Sequence, residues 1–168
     1  MNKFIPVNEP LLDGNEKKYL EECIDTGWIS SEGPFVEKFE TRFAAMVERE
    51  HAIAVSNGSA ALDAAVAALE IGAGDEVILP SVTIISCAAA VVRAGAMPVV
   101  VDSDPTTWNM TAEAIEAAIT PRTRAIVPVH YGGVGCDMDA IMAIAERHGL
   151  LGIEDAAQAV MATQGGQP

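Results

Sequence analysis

The amino-acid sequence predicts an α/β fold, a mainly parallel sheet with helices on both faces. From His51 onward, short apolar segments alternate with helical segments of about ten residues. Such alternation is typical of right-handed strand–helix–strand units, whose strands lie parallel in one sheet. The apolar segments are also hydrophobic throughout, without the alternation of a half-exposed strand. This indicates a sheet that is covered on both sides.

Residues that end strands or helices separate the predicted elements. Pro80 closes one strand, and Gly95 and Gly149 each end a helix. Thr111 is the predicted N-cap of another helix, and Pro121 follows its end. The predicted strands are residues 51–56, 75–80, 97–102, 124–130 and 150–155, and the helices between them are residues 59–71, 83–94, 111–119 and 137–149.

The first fifty residues follow a different pattern. Two helices are predicted there, at residues 14–27 and 35–49, and the loop between them contains the segment GWISSEGP. No linker or internal repeat separates this part from the rest. We therefore expect residues 1–50 to form an arm and lead-in helices, packed on an α/β domain at residues 51–168.

Composition and charge exclude several kinds of partner. The 168 residues carry a formal net charge of −14, and the pI is about 4.4, so nucleic acid and anionic membrane are not expected as partners. No apolar stretch suits a signal peptide or a membrane-spanning helix. The three cysteines lie far apart, without metal-ligand spacing. We expect a soluble, cytoplasmic protein with reduced thiols and no metal site.

Residues that directly follow the strands are the first candidates for a functional site, because ligands of open parallel sheets bind outside the carboxyl ends of the strands. Gly58 and Ser59 lie in the turn SNGSAAL, between a predicted strand and a helix. Glycine lets the backbone approach a ligand, and the start of a helix presents unpaired N–H groups, which together suit a phosphate. An ordinary helix cap is the alternative, since Ser and Asn are common capping residues.

Asp155 ends the last predicted strand, LLGIED, and is the second candidate. A carboxylate there, in a partly dry site, would favour a cation or a protonated heterocycle. A capping role or a plain surface acid is the alternative. Glu154 is expected to point the other way, because adjacent strand residues face opposite sides. His130 also follows a strand, and it either contacts a ligand or is a hydrogen-bonded structural residue.

The two candidates are expected at the same edge of one sheet. A ligand with a phosphate at one end and a basic ring nitrogen at the other would bridge them, and pyridoxal 5'-phosphate is such a ligand. A carboxylate beside its pyridine nitrogen keeps that nitrogen protonated, so that the ring can accept electrons from a carbanion.

Seven segments, in order and spacing, resemble the DegT/DnrJ/EryC1/StrS family of sugar aminotransferases, which are fold type I pyridoxal phosphate enzymes. They are GWISSEGPFVEKFETRFA, SNGSAAL, GAGDEVILPSVT, GAMPVVVDSDP, AITPRTRAIVPVHYGG, DMDAIMAIAERHGL and IEDAAQA. The resemblance implies an incomplete fold type I large domain. It also implies a homodimer that uses a nucleotide-linked keto-deoxysugar and an amino donor such as glutamate. The segment TIISCA is similar to members that act like GDP-perosamine synthases.

The resemblance assigns cofactor-binding roles to matching positions. Gly58 and Ser59 would hold the phosphate, Asp155 would pair with the pyridine nitrogen, and Gln158 would lie near the phenolic oxygen. Where the family usually has an aromatic residue that stacks on the cofactor ring, this chain has Ile84. An aliphatic side chain can pack on the ring without π-stacking.

Substrate-side residues are carried over in the same way. The segment GWIS resembles the substrate-side loop of the family, which implies that Trp28 and Ser30 contact the substrate. His130 is the third candidate for substrate binding.

The lysines of the chain bear on catalysis. They are Lys3, Lys17, Lys18 and Lys38, and none follows residue 38. The resemblance places the Schiff-base lysine of the family beyond residue 168. We therefore expect the chain to be an N-terminal portion of an aminotransferase, inactive by itself. Two alternatives stay open, a stand-alone protein that binds pyridoxal phosphate or a nucleotide sugar without catalysis, and a sugar dehydratase relative that lacks the lysine.

Overall fold

Residues 4–6 and 8–166 are described by a computed structural model of the chain. Within them lies a four-stranded sheet in the order β2–β1–β3–β4, and every pair of neighbours is parallel. The predicted α/β fold with a parallel sheet is confirmed. The strands are β1 (Glu76–Pro80), β2 (Met97–Val101), β3 (Thr123–Ile126) and β4 (Leu151–Gly152), and the helices are α1 (Glu16–Thr26), α2 (Pro34–Met46), α3 (Gly58–Ala68), α4 (Ile85–Arg93), α5 (Ala112–Ala118) and α6 (Met138–His148).

The chain divides into two compact units. The first covers the described residues up to 45 together with residues 49–54, and the second covers residues 46–48 and those from 55 onward. In the first unit, α1 ends at Gly27, which adopts a left-handed conformation with φ of 76°. The rings of Tyr19 on α1 and Phe35 on α2 lie 5.2 Å apart, which joins the two helices.

The sheet of the second unit is covered on both faces, as its apolar strands predict. Val77 and Leu79 of β1 belong to a core that also contains residues of α3 and α4. Ile78, between them, belongs to a second core, with residues of α5 and α6. All five residues of β1 are buried, because this strand has a neighbour on each side and a helical layer above and below. Two helices therefore lie on each face.

Short polar side chains determine where the helices begin. Asn57, Thr111 and Asp137 cap α3, α5 and α6, and each side chain accepts a hydrogen bond from a backbone N–H three residues later. Such caps stabilise a helix by about 1 kcal/mol each. The cap predicted at Thr111 is confirmed, and so is the end of α6 at Gly149, whose φ is 65°.

The strand predicted at residues 51–56 is wrong. The segment is in no strand of the described sheet, and Ile53 is 82% exposed. Its apolar pattern is that of a buried strand, but a strand also needs a hydrogen-bonded neighbour. The backbone N–H of Ala54 instead donates to the side chain of Glu40, at 2.8 Å.

The regular pairing of β3 and β4 is shorter than predicted, but their contact continues towards the candidate site. Beyond the strands, Asp155 N–H donates to the carbonyl of Pro128 at 2.9 Å, and His130 N–H donates to the carbonyl of Asp155 at 3.1 Å. Val129 and Asp155 form a parallel bridge. This ladder fixes the backbone of Asp155 beside the end of β3.

No helix within the described residues is both long and apolar enough to cross a membrane.

Candidate functional site

The start of α3 presents unpaired donors beside open space. Asn57 Oδ1 accepts the N–H of Ala60 at 3.0 Å, and the Asn57 carbonyl accepts that of Ala61. In the described part of the chain, no acceptor is recorded for the N–H groups of Gly58 and Ser59. A Cβ atom at Gly58 would meet no heavy atom within 4 Å. Donors and space at a helix N-terminus together form a cradle for an anion.

Asp155 presents a half-buried carboxylate whose hydrogen-bond donors are neutral. Its Oδ1 accepts the N–H of Ala157 at 3.1 Å, and its Oδ2 accepts a hydrogen bond from Cys87 Sγ at 3.2 Å. Burial raises the pKa of the Cys87 thiol to about 11, so the thiol is protonated near neutral pH. No Lys, Arg or His of the described residues pairs with Asp155. The carboxylate can therefore take a cation from a ligand.

The first turn of α4 joins the two candidates. Ser59 Oγ lies 2.7 Å from Ser86 Oγ, and the next residue, Cys87, donates to Asp155. Ser86 and Cys87, which are adjacent in α4, thus contact the start of α3 and Asp155, respectively. The anion cradle and the carboxylate belong to one site at the carboxyl edge of the sheet.

Ser86 and Cys87 were missed as site residues by the sequence reasoning. Their signal was the placement of TIISCA directly after a strand end, at the start of a helix. That placement puts the first turn of α4 at the carboxyl edge of a parallel sheet. It does not by itself say which side chains of the turn face α3 and Asp155.

Ile84 and Gln158 complete the set of residues predicted to contact a cofactor. Ile84 precedes α4, and 60% of it is exposed, so a planar ring could pack on it. Gln158 Oε1 accepts the N–H of Gly132 at 2.7 Å. Since the oxygen is occupied, the amide NH₂ group is the part of Gln158 that can donate to a ligand.

His130 is buried, and both of its ring nitrogens have partners. Nδ1 accepts the N–H of Cys136 at 3.0 Å, and Nε2 lies 2.7 Å from Glu154 Oε1. Because Nδ1 is an acceptor, the proton of the neutral ring is on Nε2, which donates to Glu154. Glu154 and Asp155 thus contact different partners, Glu154 pairing with His130 and Asp155 with Cys87, as predicted for adjacent strand residues.

Trp28 and Ser30 lie in the first unit, whereas the other predicted site residues lie in the second. Trp28 is half exposed, and a Cβ atom added at Gly33 would lie 3.4 Å from the Cβ of Trp28. Ser30 is exposed. Their contact with substrate stays a prediction.

A parallel sheet covered on both faces, with an anion cradle and a carboxylate at its carboxyl edge, defines an α/β protein with the fold of the type I pyridoxal phosphate enzymes. The model of the DegT/DnrJ/EryC1/StrS aminotransferase family matches residues 10–168. The chain belongs to that family, whose members use pyridoxal phosphate.

Two curated relatives show how far the likeness extends. GDP-perosamine synthase of Caulobacter vibrioides is 55% identical over 97% of this chain and 44% of its own length. The spore coat polysaccharide biosynthesis protein SpsC of Bacillus subtilis is 48% identical over 96% of this chain and 41% of its own. The chain thus spans less than half the length of these relatives.

A solved structure matches as well. NtdA of Bacillus subtilis, with bound cofactor PMP, is 38% identical and superposes with a TM-score of 0.82. The match covers 86% of this chain and 33% of NtdA.

Proposed function

We propose that this chain forms part of the pyridoxal phosphate site of an aminotransferase that acts on nucleotide-linked keto-deoxysugars. The observation that carries the proposal is the continuous site from Ser59 through Ser86 and Cys87 to Asp155. At the finest level we propose a GDP-linked amino sugar as product, because the Caulobacter relative is a GDP-perosamine synthase. Glutamate or glutamine is the proposed amino donor.

The residues present fit the cofactor at both of its ends. The phosphate needs donors and room, and the start of α3 offers the open space at Gly58 and two N–H groups unpaired within the described residues. The Ser59 hydroxyl can donate to the phosphate as well while it accepts from Ser86. The pyridine nitrogen needs a carboxylate without a competing cation, and Asp155 meets this condition. The net charge of −14 makes such local donors necessary for any anion.

Each residue has a separate task in the proposed site. Gly58 and Ser59 bind the phosphate, and Asp155 holds a proton on the ring nitrogen. Ile84 packs on the ring, and the amide of Gln158 donates to the phenolic oxygen. When bound, pyridoxal phosphate supplies a ring that accepts electrons from the substrate carbon.

The proposal also covers the two parts of the chain, the substrate side of the site and the assembly. We propose that residues 51–168 form part of the cofactor-binding large domain, and that residues 1–50 form the arm and lead-in helices. Trp28, Ser30 and His130 are proposed for the substrate side. For His130 this role would require the ring to leave Glu154 or Cys136, since both ring nitrogens are occupied. A homodimer is the proposed assembly.

The test is the affinity of the chain for pyridoxamine 5'-phosphate, measured by fluorescence titration. This form of the cofactor carries an amine and cannot react with surface lysines, so only the non-covalent site is measured. We expect Asp155→Ala to weaken binding by about 30-fold, since removing one partner of a desolvated charge pair costs about 2 kcal/mol or more. Asp155→Asn should also weaken binding, because it keeps the shape and removes the charge.

Asp139→Ala is the matched control. Asp139 is exposed on α6 and makes no hydrogen bond or ion pair within the described residues, so the variant should bind like the wild type. Binding that is unchanged in Asp155→Ala, or lost equally in both Ala variants, would contradict the proposed role of Asp155.

A further inference from the structure

Cys87 is one of the least exposed residues of the chain, at 1% exposure. It lies in the first turn of α4, and its side chain contacts the apolar core between the sheet and α3. Its sulfur nevertheless has two polar neighbours, Thr83 Oγ1 at 3.2 Å and Asp155 Oδ2 at 3.2 Å. A purely apolar role does not explain why both neighbours are polar.

The directions of these hydrogen bonds follow from protonation. Burial raises the pKa of the Cys87 thiol to about 11, so the S–H is retained at neutral pH. Asp155 has no proton to donate when ionised, so Cys87 is the donor to Oδ2. The S–H is then used, and the Thr83 hydroxyl must donate to the sulfur. Thr83, Cys87 and Asp155 therefore form a one-way chain of donors that ends at the carboxylate.

Both carboxylate oxygens of Asp155 accept a hydrogen bond from the protein. Oδ1 accepts the backbone N–H of Ala157, and Oδ2 accepts the thiol of Cys87. The first contact is local in sequence, two residues away, whereas the second spans 68 residues and links the carboxylate to α4. The contact with Cys87 thus fixes the rotation of the carboxylate relative to the helix that also contacts Ser59.

We propose that Cys87 is a positioning residue for the cofactor, which acts by orienting the Asp155 carboxylate towards a cationic ring nitrogen. This inference rests on the proposed function of the site.

A thiol suits this task for a chemical reason. A strong donor to a carboxylate draws on its negative charge and weakens its hold on a cation, whereas S–H is a weak donor. Cysteine can therefore set the orientation of Asp155 at little electrostatic cost. It also fills an apolar position, as free cysteine behaves as a small hydrophobic residue.

Three substitutions separate hydrogen bonding from packing. Cys87→Ser keeps a donor but loses volume, Cys87→Ala loses both, and Cys87→Val loses the donor while adding a methyl group instead of leaving a cavity. We expect Cys87→Ser to bind pyridoxamine 5'-phosphate within about threefold of the wild type. We expect Cys87→Ala and Cys87→Val to bind about tenfold more weakly, the upper end of the usual effect of losing one ordinary hydrogen bond, because the carboxylate loses its fixed orientation. Thermal unfolding of each variant shows whether it is folded.

A second ligand tests whether Cys87 affects cofactor affinity through Asp155. An analogue of the cofactor with carbon in place of the pyridine nitrogen cannot pair with Asp155. Its affinity should be the same in the wild type, Cys87→Ser and Cys87→Val. A purely structural role would instead weaken both ligands together.

The outcomes separate this inference from the proposed function. If the wild type does not bind pyridoxamine 5'-phosphate, both are overturned. If the wild type binds and Asp155→Ala weakens binding, but Cys87→Val binds like the wild type, only the role of Cys87 is overturned. The same holds if Cys87→Ser is as weak as Cys87→Ala, which would indicate packing.

Discussion

Two adjacent acids that follow β4 have different chemical surroundings. Glu154 pairs with the buried ring of His130, and Asp155 receives the thiol of Cys87. The period of two in extended backbone sends their side chains to opposite faces of the sheet. Only one of the two acids, Asp155, can therefore belong to the site on the α4 side. The backbone geometry alone decides this, whatever the ligand is.

Ile84 provides a prediction at the same scale. It is 60% exposed at the start of α4, so a larger ring can replace it without displacing a packed core. Ile84→Phe should bind pyridoxamine 5'-phosphate as tightly as the wild type or up to about tenfold more tightly, because stacked aromatic pairs add about 0.5–1.5 kcal/mol. Fluorescence titration measures this.

Val92→Phe is the control for that substitution. Val92 is similarly exposed, at 59%, near the other end of α4, so the change should leave affinity unaltered. A large loss of affinity in Ile84→Phe alone would show that the cofactor does not lie against this residue in the way proposed.

Helix α3 shows how one element serves both stability and binding. Its cap, Asn57, satisfies the N–H of Ala60 and leaves those of Gly58 and Ser59 available. The helix is otherwise rich in alanine, with Val66 as its buried residue. Glycine as the first helical residue is unfavourable for the helix itself, since alanine has the better propensity. We propose that glycine occupies this position for the space that it leaves open.

Gly58→Ala tests that explanation. The structure has room for the added methyl group, with no heavy atom within 4 Å, so the free energy of unfolding in urea should stay unchanged or rise by up to about 1 kcal/mol. The same methyl group should obstruct the phosphate and weaken binding of pyridoxamine 5'-phosphate by about tenfold or more.

Thr111→Ala gives the opposite pattern and is a suitable comparison. It removes the cap of α5, so it should lower stability by about 1 kcal/mol and leave binding unchanged. If Gly58→Ala destabilises the protein and binds normally, the open space has no role in binding.

At the scale of the whole molecule, a buried acid joins distant parts of the sheet. Glu76, at the start of β1, is 6% exposed and accepts hydrogen bonds from Thr120 Oγ1 and from the guanidinium of Arg122. These groups lie between α5 and β3, 44 and 46 residues further along the chain. The hydrogen bond from Thr120, followed by that from Arg122, lowers the pKa of Glu76 below its ordinary value of 4.5.

The lowered pKa of Glu76 predicts how stability depends on pH. A carboxyl group whose pKa is lower in the folded state than in the unfolded state stabilises the fold. This stabilisation is complete at pH values above the pKa of the unfolded state, and it is lost as the pH falls through the pKa of the folded state. The difference in melting temperature between wild type and Glu76→Gln should therefore be largest near pH 7 and shrink as pH falls below about 4.5. Calorimetry over that range measures it.

Comparing two variants removes the general effect of net charge on acid stability. Glu32→Gln, at an exposed turn position that makes no hydrogen bond or ion pair within the described residues, should keep a nearly constant difference from the wild type. A difference between wild type and Glu76→Gln that does not change between pH 7 and about pH 3 would refute the assignment.

Local patterns in the sequence were enough for most of the elements. Capping residues such as Thr111 and terminating glycines such as Gly149 are local properties, and the structure confirms the helices that they predict. The strand predicted at residues 51–56 is wrong because strand formation is not a local property. Its apolar composition is local, but a strand depends on a partner elsewhere in the chain, and the described sheet provides none.

By itself, the sequence determined the α/β class, the family and the two ends of the candidate site at Ser59 and Asp155. The class follows from the alternation of apolar and helical segments, and the family from the resemblance of seven segments. The two ends of the candidate site follow from the rule that ligands meet parallel sheets at their carboxyl edge. Only the tertiary structure decided that Ser86 and Cys87 link those ends and that both nitrogens of His130 are occupied. Contacts across 27 and 68 residues depend on how the crossovers bring helices and strand ends together, which no local pattern contains.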